Sequence, residues 1–538
     1  VVISNPETGS CCSLKNQANH NRDRLAPAVI FLPQAQLKVA LLLPRMPSDS
    51  RKKFTLAALT TALLWWLSMT QWGLFAFGWI AFVPLLFVLS DIENPRTRFL
   101  YGWGAGLLCY ALHNWWLLPT VTKAGGVIGV SPVIGALLGA LSVGLIATVH
   151  GLGLAFLAWL WNPRTPLFRN IPLLLPVCCA LLWWAFEWLR SYGVLGHTWG
   201  APAFSQWSNI ALLQSAYFMG QFGLSALCIW FAACMALWVH PENTAKAPGM
   251  WRIPLLVFAM LHLWGVWRIE RYDRMPHTPT PIALVATNVA SLAKKREGGE
   301  SHFSTAWRLS HETLSAQSAH PNRPQLVVWP ETTLTLGAAP TAAQQREDIE
   351  TLSQSLATPI LAGAQVFENN GTMTNDAVLI ESGQLTQRSG KMRVVPFGER
   401  APFSESLLFL AMLAPRPPVT PATYAMPMQL RRSDGSRWRL GTVICFESAF
   451  PRPAKSLVED GAEALFVLTN DEWFAGTSAP WEHAAMCALR AAQNQIPVVQ
   501  VANGGYALMT DGVGRFISLE KSDVSKVVTG TIPIISKD

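Results

Sequence analysis

From Phe54 to about Ile269 the chain runs in long apolar stretches broken by short polar loops, and from Pro281 onward the apolar residues come in short alternations. A helix that crosses a bilayer needs about 20 apolar residues. Seven runs approach that length: about 54–70, 73–90, 99–120, 131–161, 171–191, 213–239 and 253–269. Past Pro281, β-forming runs (IALVATNV, PQLVVWPE, PILAGAQVF, LGTVICFE, EALFVLTND, IPVVQVANGG) alternate with helical stretches (FSTAWRLSHETLSAQ, TAAQQREDIETLSQSLA, WEHAAMCALRAAQNQ). Buried strands alternating with helices predict a layered α/β domain. The expected organisation is a polar extension (1–53), a membrane domain of about seven helices (54–269) and a globular domain (282–538). In the extension, the patch Val39–Leu43 is too short for a span or a signal peptide, and Met46, opening MPSDSRKKF, reads as the natural start.

Composition sharpens this division. Of 538 residues, 51% are hydrophobic and 14% charged, too apolar for an ordinary soluble protein. The net charge of +8 lies largely in loops between apolar runs, where lysine and arginine set orientation rather than bind nucleic acid. Loops on the N-terminal side of the first span carry Arg51, Lys52, Lys53, Arg96, Arg98, Arg164, Arg169, Lys246 and Arg252, whereas opposite loops between spans carry Lys123 alone. This asymmetry places the N-terminus in the cytoplasm, and seven crossings then put the globular domain in the periplasm. Arg268, Arg271 and Arg274 run against the rule. Tryptophans such as Trp65-Trp66, Trp115-Trp116 and Trp183-Trp184 gather near span ends as interfacial anchors. Glu187 and Arg190, three apart in WAFEWLRSYG, share a helix face and read as a structural pair. The nine cysteines form no CxxC and no zinc spacing, so neither metal nor cofactor is expected.

Three segments of the globular half carry chemistry. Glu331 follows a buried strand in LVVWPETTL, Lys391 lies eight residues before Glu399 in SGKMRVVPFGERAP, and Cys445 ends a strand in TVICFES. Taken singly, a strand-end glutamate or lysine is a solvated rim residue and a lone cysteine a small core side chain. Their order and contexts (WPE, K-x7-E, CFE), joined to a multi-span half containing HNWW and EWLR and followed by TNDEWF, PWEH and ANGG, resemble the apolipoprotein N-acyltransferase family of the nitrilase (carbon–nitrogen hydrolase) superfamily.

That resemblance implies an α-β-β-α sandwich facing the periplasm from a bacterial inner membrane, with a Glu331–Lys391–Cys445 triad. It implies acyl transfer from a phospholipid, through a cysteine thioester, to the amine of a lipoprotein. A thiolate nucleophile needs a base or positive charge nearby. Glu331 is suited to take the thiol proton and Lys391 to stabilise an oxyanion, with Glu399 and Glu447 orienting them. Phe446, Trp473 and Phe474 are candidate substrate contacts, the last two read either as a lid or as core aromatics. Leu407–Pro415 (LLFLAMLAP) reads either as a lipid-facing arm or as a buried helix. His483 and Cys487, four apart, read as packing.

The chain departs from the family pattern at Phe446, where a tyrosine is usual, in TNVASLAKK, at Asn503-Gly504, and in ending without the family's final span. The alternatives are a conjugal-transfer relative of the TraB type with a different acceptor, or a membrane-anchored amidase or nitrilase.

Overall fold

The computed structural model describes residues 48–127, 129–240, 249, 251–290, 301–315, 323–407, 417–432 and 435–535. Met46 and Leu408–Pro415 lie outside these residues, so neither the start nor the lipid-facing arm is described.

Each of the seven apolar runs coincides with helical structure. The first forms Ser48–Ser68. The second divides into Phe75–Ile80 and Val83–Leu89, because Pro84 has no N–H to donate to the carbonyl four residues back. The third, Pro95–His113, stops earlier than its apolar run. There the Asn114 side chain bonds to the Tyr110 carbonyl at 2.9 Å, competing with the helical ladder, and the chain restarts as Leu117–Val127. The others are Pro132–Leu160, Leu174–Arg190, Ala216–Val239 and Arg252–Asp273. Among the described residues, Pro132–Leu160, Ala216–Val239 and Arg252–Asp273 are long and apolar enough to cross a membrane.

Small residues let two of these helices meet backbone to backbone. A Cβ on Gly106 would stand 2.6 Å from Gly151 Cα, and one on Gly102 would stand 2.3 Å from Ala158 Cβ. Where the hydrophobic drive between helices is weak, such close approach supplies dispersion contacts. The arginines that run against the charge rule are each occupied. Arg268 lies 3.8 Å over the Tyr217 ring, Arg271 5.7 Å over Trp267, and Arg274 pairs with Glu270 at 3.2 Å.

Beyond the last helix, the described residues form the strands β1 (His277–Ala286), β2 (Leu326–Val328), β3 (Leu334–Gly337), β4 (Ile360–Phe367), β5 (Met373–Glu381), β6 (Gln384–Gly390) and β7 (Met428–Arg431). They continue as β8 (Arg437–Ile444), β9 (Ala464–Thr469), β10 (Val498–Ala502), β11 (Tyr506–Thr510), β12 (Phe516–Lys521) and β13 (Lys526–Ile535). One sheet has the order β13-β1-β2-β4-β5-β6 with β3 beside β4, and the other β12-β11-β10-β9-β8-β7. Their inner faces share a core that includes Leu284, Val328 and Leu361 from the first, and Trp438, Phe466 and Val501 from the second. Helices His302–Leu314 and Ala342–Leu356 flank the first sheet. Pro451–Glu459 and Ala479–Asn494 flank the second. The result is a helix–sheet–sheet–helix sandwich.

The segment after Phe367, which gave no strand pattern, contains the β5–β6 hairpin. Ser382 and Gly383 turn it with φ of 50° and 74°, the left-handed pair of a tight hairpin turn.

Parallel pairing of β2 with β4, and of β8 with β9 and β10, brings several carboxyl ends to one side. Polar residues delivered there fall in a common crevice. The two halves of the protein are not separate cores. Trp65, Trp183 and Leu224 of the helical half share one apolar cluster with Phe450, Met486 and Leu489 of the sandwich.

Candidate active site

The strand ends deliver the candidate groups. Trp329-Pro330 carries the chain from β2 to Glu331, β6 ends at Gly390 immediately before Lys391, and β8 ends at Ile444 immediately before Cys445. Lys391 Nζ donates to Glu331 Oε1 and to Glu399 Oε1, 2.9 Å in each case. Asn375 on β5 reinforces the bridge, its Nδ2 donating to the same two oxygens at 2.8 and 3.0 Å. The outer oxygens are also held: Glu331 Oε2 by the Asn470 N–H at 3.0 Å, and Glu399 Oε2 by the Val395 N–H at 2.7 Å. Lys391 is 1% exposed. Burial alone would lower its pKa, but the charges of Glu331 and Glu399, and then Cys445, carry it well above the usual lysine value. It is an ammonium at any physiological pH.

Cys445 is partly exposed and opens the 3-10 turn Cys445–Ala449 with φ of 52°. A left-handed backbone at a non-glycine residue costs about 1–3 kcal/mol and marks a position fixed by its surroundings. Burial, then the charge of Glu331, raises the thiol pKa well above its ordinary value; Lys391 pulls it back, Asp471 adds to the rise and Thr469 opposes it. The resting sulfur is therefore a thiol, and any reaction at it has to move a proton.

Glu447 ties the lysine segment to the cysteine turn. Its Oε1 accepts the Met392 and Arg393 N–H groups at 2.8 Å each, and its Oε2 accepts the Ile444 N–H at 2.9 Å. Burial raises its pKa to about 7, against the pull of those donors and of Lys391. One carboxylate thereby fixes the spacing of Lys391 and Cys445.

Aromatic rings and the helical half complete the surroundings. Phe446 packs edge-on to Phe450 at 5.0 Å and lies over His197 at 6.4 Å. Phe474 meets Trp116 of the helical half at 5.5 Å. Trp473 is partly buried in the same short turn, Asp471–Phe474. Lys123, from helix Leu117–Val127, donates to the Glu472 carbonyl at 2.7 Å and pairs with its carboxylate. Glu187 and Arg190 form a buried pair at 2.9 Å. Arg190 also donates to the carbonyls of His197, Thr198 and Trp199 at 3.0–3.2 Å. That bracing sets Thr198, whose hydroxyl donates to the Ala449 carbonyl at 2.8 Å, under the cysteine turn. Cys487 lies elsewhere, buried with its thiol on Gln500 Oε1 at 3.2 Å.

Reasoning from strand ends did not find Asn375, Asn470, Asp471 or His483 as parts of the site. Two signals were present: the adjacent Asn375-Asp376 directly ahead of the apolar run Ala377–Ile380, and Asn470-Asp471 directly after β9, a strand end like those of Glu331 and Cys445.

Residues 61–234 match the apolipoprotein N-acyltransferase N-terminal domain, and residues 298–533 match the carbon–nitrogen hydrolase domain. The apolipoprotein N-acyltransferase of Geobacter metallireducens is 28% identical, with 91% of this chain and 91% of that protein covered. That of Chlorobaculum tepidum is 26% identical, with 89% of this chain and 90% of that protein covered. Among solved structures, the carbon–nitrogen hydrolase from Helicobacter pylori aligns at 16% identity and a TM-score of 0.35, covering 47% of this chain and 89% of that one. With both of its halves matched in order and relatives that span nine-tenths of its length, the chain belongs to the apolipoprotein N-acyltransferase family of the nitrilase superfamily.

Proposed function

We propose that this protein moves a fatty acyl chain from a phospholipid, by way of a thioester on Cys445, to the N-terminal amine of a diacylglyceryl-cysteine lipoprotein. The observation that carries the reading is Lys391, buried between Glu331 and Glu399 at 2.9 Å from each, with Cys445 under the opposed charges of Glu331 and Lys391.

The chemistry follows from the hydrogen-bond inventory. A carboxylate offers about four lone-pair sites, and Asn375, Lys391 and the Asn470 N–H occupy three on Glu331. The remaining site, on Oε2, is free to take the Cys445 proton as sulfur attacks the ester carbonyl. Lys391 and the Phe446 N–H stabilise the developing oxyanion. Collapse breaks the C–O bond, and Glu331 returns the proton to the departing lysophospholipid alkoxide. In the second half, the lipoprotein amine attacks the thioester, its proton passes to Glu331, and the C–S bond breaks to regenerate the thiol. This is a two-step exchange through a covalent intermediate. Glu399 holds the lysine, Glu447 holds the turn, and Phe446, Trp473 and Phe474 line the approach for the acyl chains.

The helical half serves a reaction whose substrates live in a bilayer. Its division from the sandwich near residues 269–282 follows the end of helix Arg252–Asp273 and the start of β1. An inner-membrane location with the sandwich in the periplasm is supported by the placement of charge. Lys123, the lone basic residue of the opposite loops, sits against Glu472 of the sandwich. Arg164 and His240 instead gather around Asp91, on loops of the other, cytoplasmic side. The Geobacter and Chlorobaculum relatives, which match along nearly the whole chain, are both apolipoprotein N-acyltransferases by name, which favours this acceptor over a conjugation-type acceptor or water.

The test is mass spectrometry of the purified protein after incubation with phospholipid. One acyl mass is expected on Cys445, retained in Cys487→Ala and absent in Cys445→Ala. Full labelling of Cys445→Ala removes the nucleophile assignment. Rescue of a strain depleted of its own lipoprotein acyltransferase checks the acceptor; failure despite normal insertion moves the reading to another acceptor.

A further inference from the structure

Beside Cys445 lies a second chain of polar groups that the acyl transfer scheme does not use. Asp471 Oδ1 stands 2.9 Å from His483 Nδ1, and His483 Nε2 stands 2.6 Å from Ser448 Oγ and 3.2 Å from the Cys445 carbonyl oxygen. All three side chains are buried. On distances alone this is the Ser-His-Asp arrangement of a serine hydrolase. Two observations redirect it. Ser448 is 0% exposed and turned into the packed side of the cysteine turn, so no acyl group reaches its hydroxyl. The imidazole also faces an oxygen that a serine triad does not put there: the Cys445 carbonyl, which can only accept.

The ring therefore has an obligate acceptor at each nitrogen, a carboxylate at Nδ1 and a carbonyl at Nε2. Only the doubly protonated ring satisfies both. The residues packed around it agree. Asp471 faces it directly, Glu331 adds negative charge from the end of β2, and the helical half presents the Trp199 ring, 5.9 Å away. Burial disfavours the charged ring, but these acceptors outweigh it and raise the histidine pKa.

What such a cation does is set by what it holds. The Cys445 carbonyl belongs to the one residue of the turn with a left-handed backbone, and the orientation of that peptide decides where the sulfur and the following N–H point. Asp471 is itself anchored by the Thr469 hydroxyl at 2.7 Å, on the strand next to β8. We propose that His483, fixed by Asp471, is a positioning residue that clamps the Cys445 carbonyl and so keeps the nucleophile turn in its strained, reactive conformation. The proposal rests on the reading of Cys445 as the acyl carrier.

The experiment is single-turnover acylation of the full-length protein in phospholipid-containing detergent micelles, with His483→Gln as the variant. A misplacement of the nucleophile by about 1 Å is expected to slow acylation of Cys445 by about 100-fold. The phospholipid concentration at half-saturation should stay unchanged, because no contact with lipid is removed. A folded His483→Gln protein acylated at the parental rate, or one affected only in half-saturation, overturns the proposal. Should that variant fail to accumulate, selective 15N-histidine labelling of the parent protein gives the answer instead. Both His483 ring nitrogens are expected to carry protons at mildly alkaline pH; a bare Nε2 overturns the clamp. Acyl ester on Ser448 in Cys445→Ala protein would restore the serine-hydrolase reading. Failure of the underlying assignment is separately visible, as absence of acyl mass on Cys445 in the parent itself.

Discussion

Replacing Lys391 by methionine removes one cation and leaves two carboxylates facing each other. Glu331 and Glu399 would then share only Asn375, whose Nδ2 reaches both at 2.8 and 3.0 Å. Their side chains are 6% and 16% exposed, so solvent screens little of the repulsion. Breaking a buried ion pair by deleting one partner costs about 3–5 kcal/mol, a large fraction of an ordinary domain's stability. For a domain of this size each kcal/mol moves Tm by roughly 2–4 °C, so a drop of about 10 °C is expected. The same origin predicts a partial rescue: Lys391→Met with Glu399→Gln discards the uncompensated charge and should regain roughly half of the loss. Acylation of Cys445 should fall by about 100- to 1,000-fold in both proteins, because both lack one of the two proposed oxyanion donors. Scanning calorimetry of the full-length protein in detergent, with mass spectrometry of the same samples, reads both quantities. Strictly additive destabilisation by the two substitutions would refute the electrostatic account, and so would acylation of either variant at the parental rate.

Glu482 gives a pH test. Burial pushes it up to about 7 from an ordinary 4.5, so the fold holds its proton more tightly than the unfolded chain does. The stabilisation is complete below the unfolded value and is lost as pH rises through 7, an interval worth about 3 kcal/mol. Glu482→Gln should accordingly raise Tm above pH 7 and match the parent below pH 4.5; equal melting at both pH values refutes this. Glu447→Gln puts an amide where three backbone N–H groups donate, and at least one contact becomes donor against donor. Acylation of Cys445 should fall by about 100-fold, and parental rates in the Gln variant would show that the turn does not depend on it. Arg190→Met strands Glu187 and releases three carbonyls of the 197–199 loop, costing about 3–5 kcal/mol. Its yield of monodisperse protein in size-exclusion chromatography should collapse, while Glu187→Gln, which keeps an acceptor, should be tolerated better.

The layered fold and the helical half were legible because hydrophobic period is a local property. Each long apolar run met a helix, and each strand read from its pattern met a strand. Breaks within runs were less visible: Pro84 signals one, but the stop at His113 depends on the Asn114 side chain bonding backward, which no period records. Glu331 and Cys445 stood out because each closes a strand, and Lys391 because of its spacing to Glu399 beside the Pro-Phe-Gly turn. The groups that hold them did not, for two different reasons. Asn375 lies within β5, in a segment whose pattern did not read as a strand. Asp471 and His483 are twelve residues apart in sequence and meet only because β9 and helix Ala479–Asn494 pack on one another. Glu447 was read as supporting the cysteine, yet its link to Met392 and Arg393 crosses more than fifty residues and follows only from the sheet order.

The apolar cluster that joins Trp65, Trp183 and Leu224 to Phe450, Met486 and Leu489 bears on how the enzyme can be handled. An excised sandwich would turn Phe450 and the inner side of helix Ala479–Asn494 toward water, directly behind the cysteine turn. Such a fragment is expected to aggregate or to rearrange at that turn. Screening for inhibitors on a truncated, water-soluble version would therefore select against a distorted sulfur, and compounds found that way would be poor guides to the intact protein in its lipid.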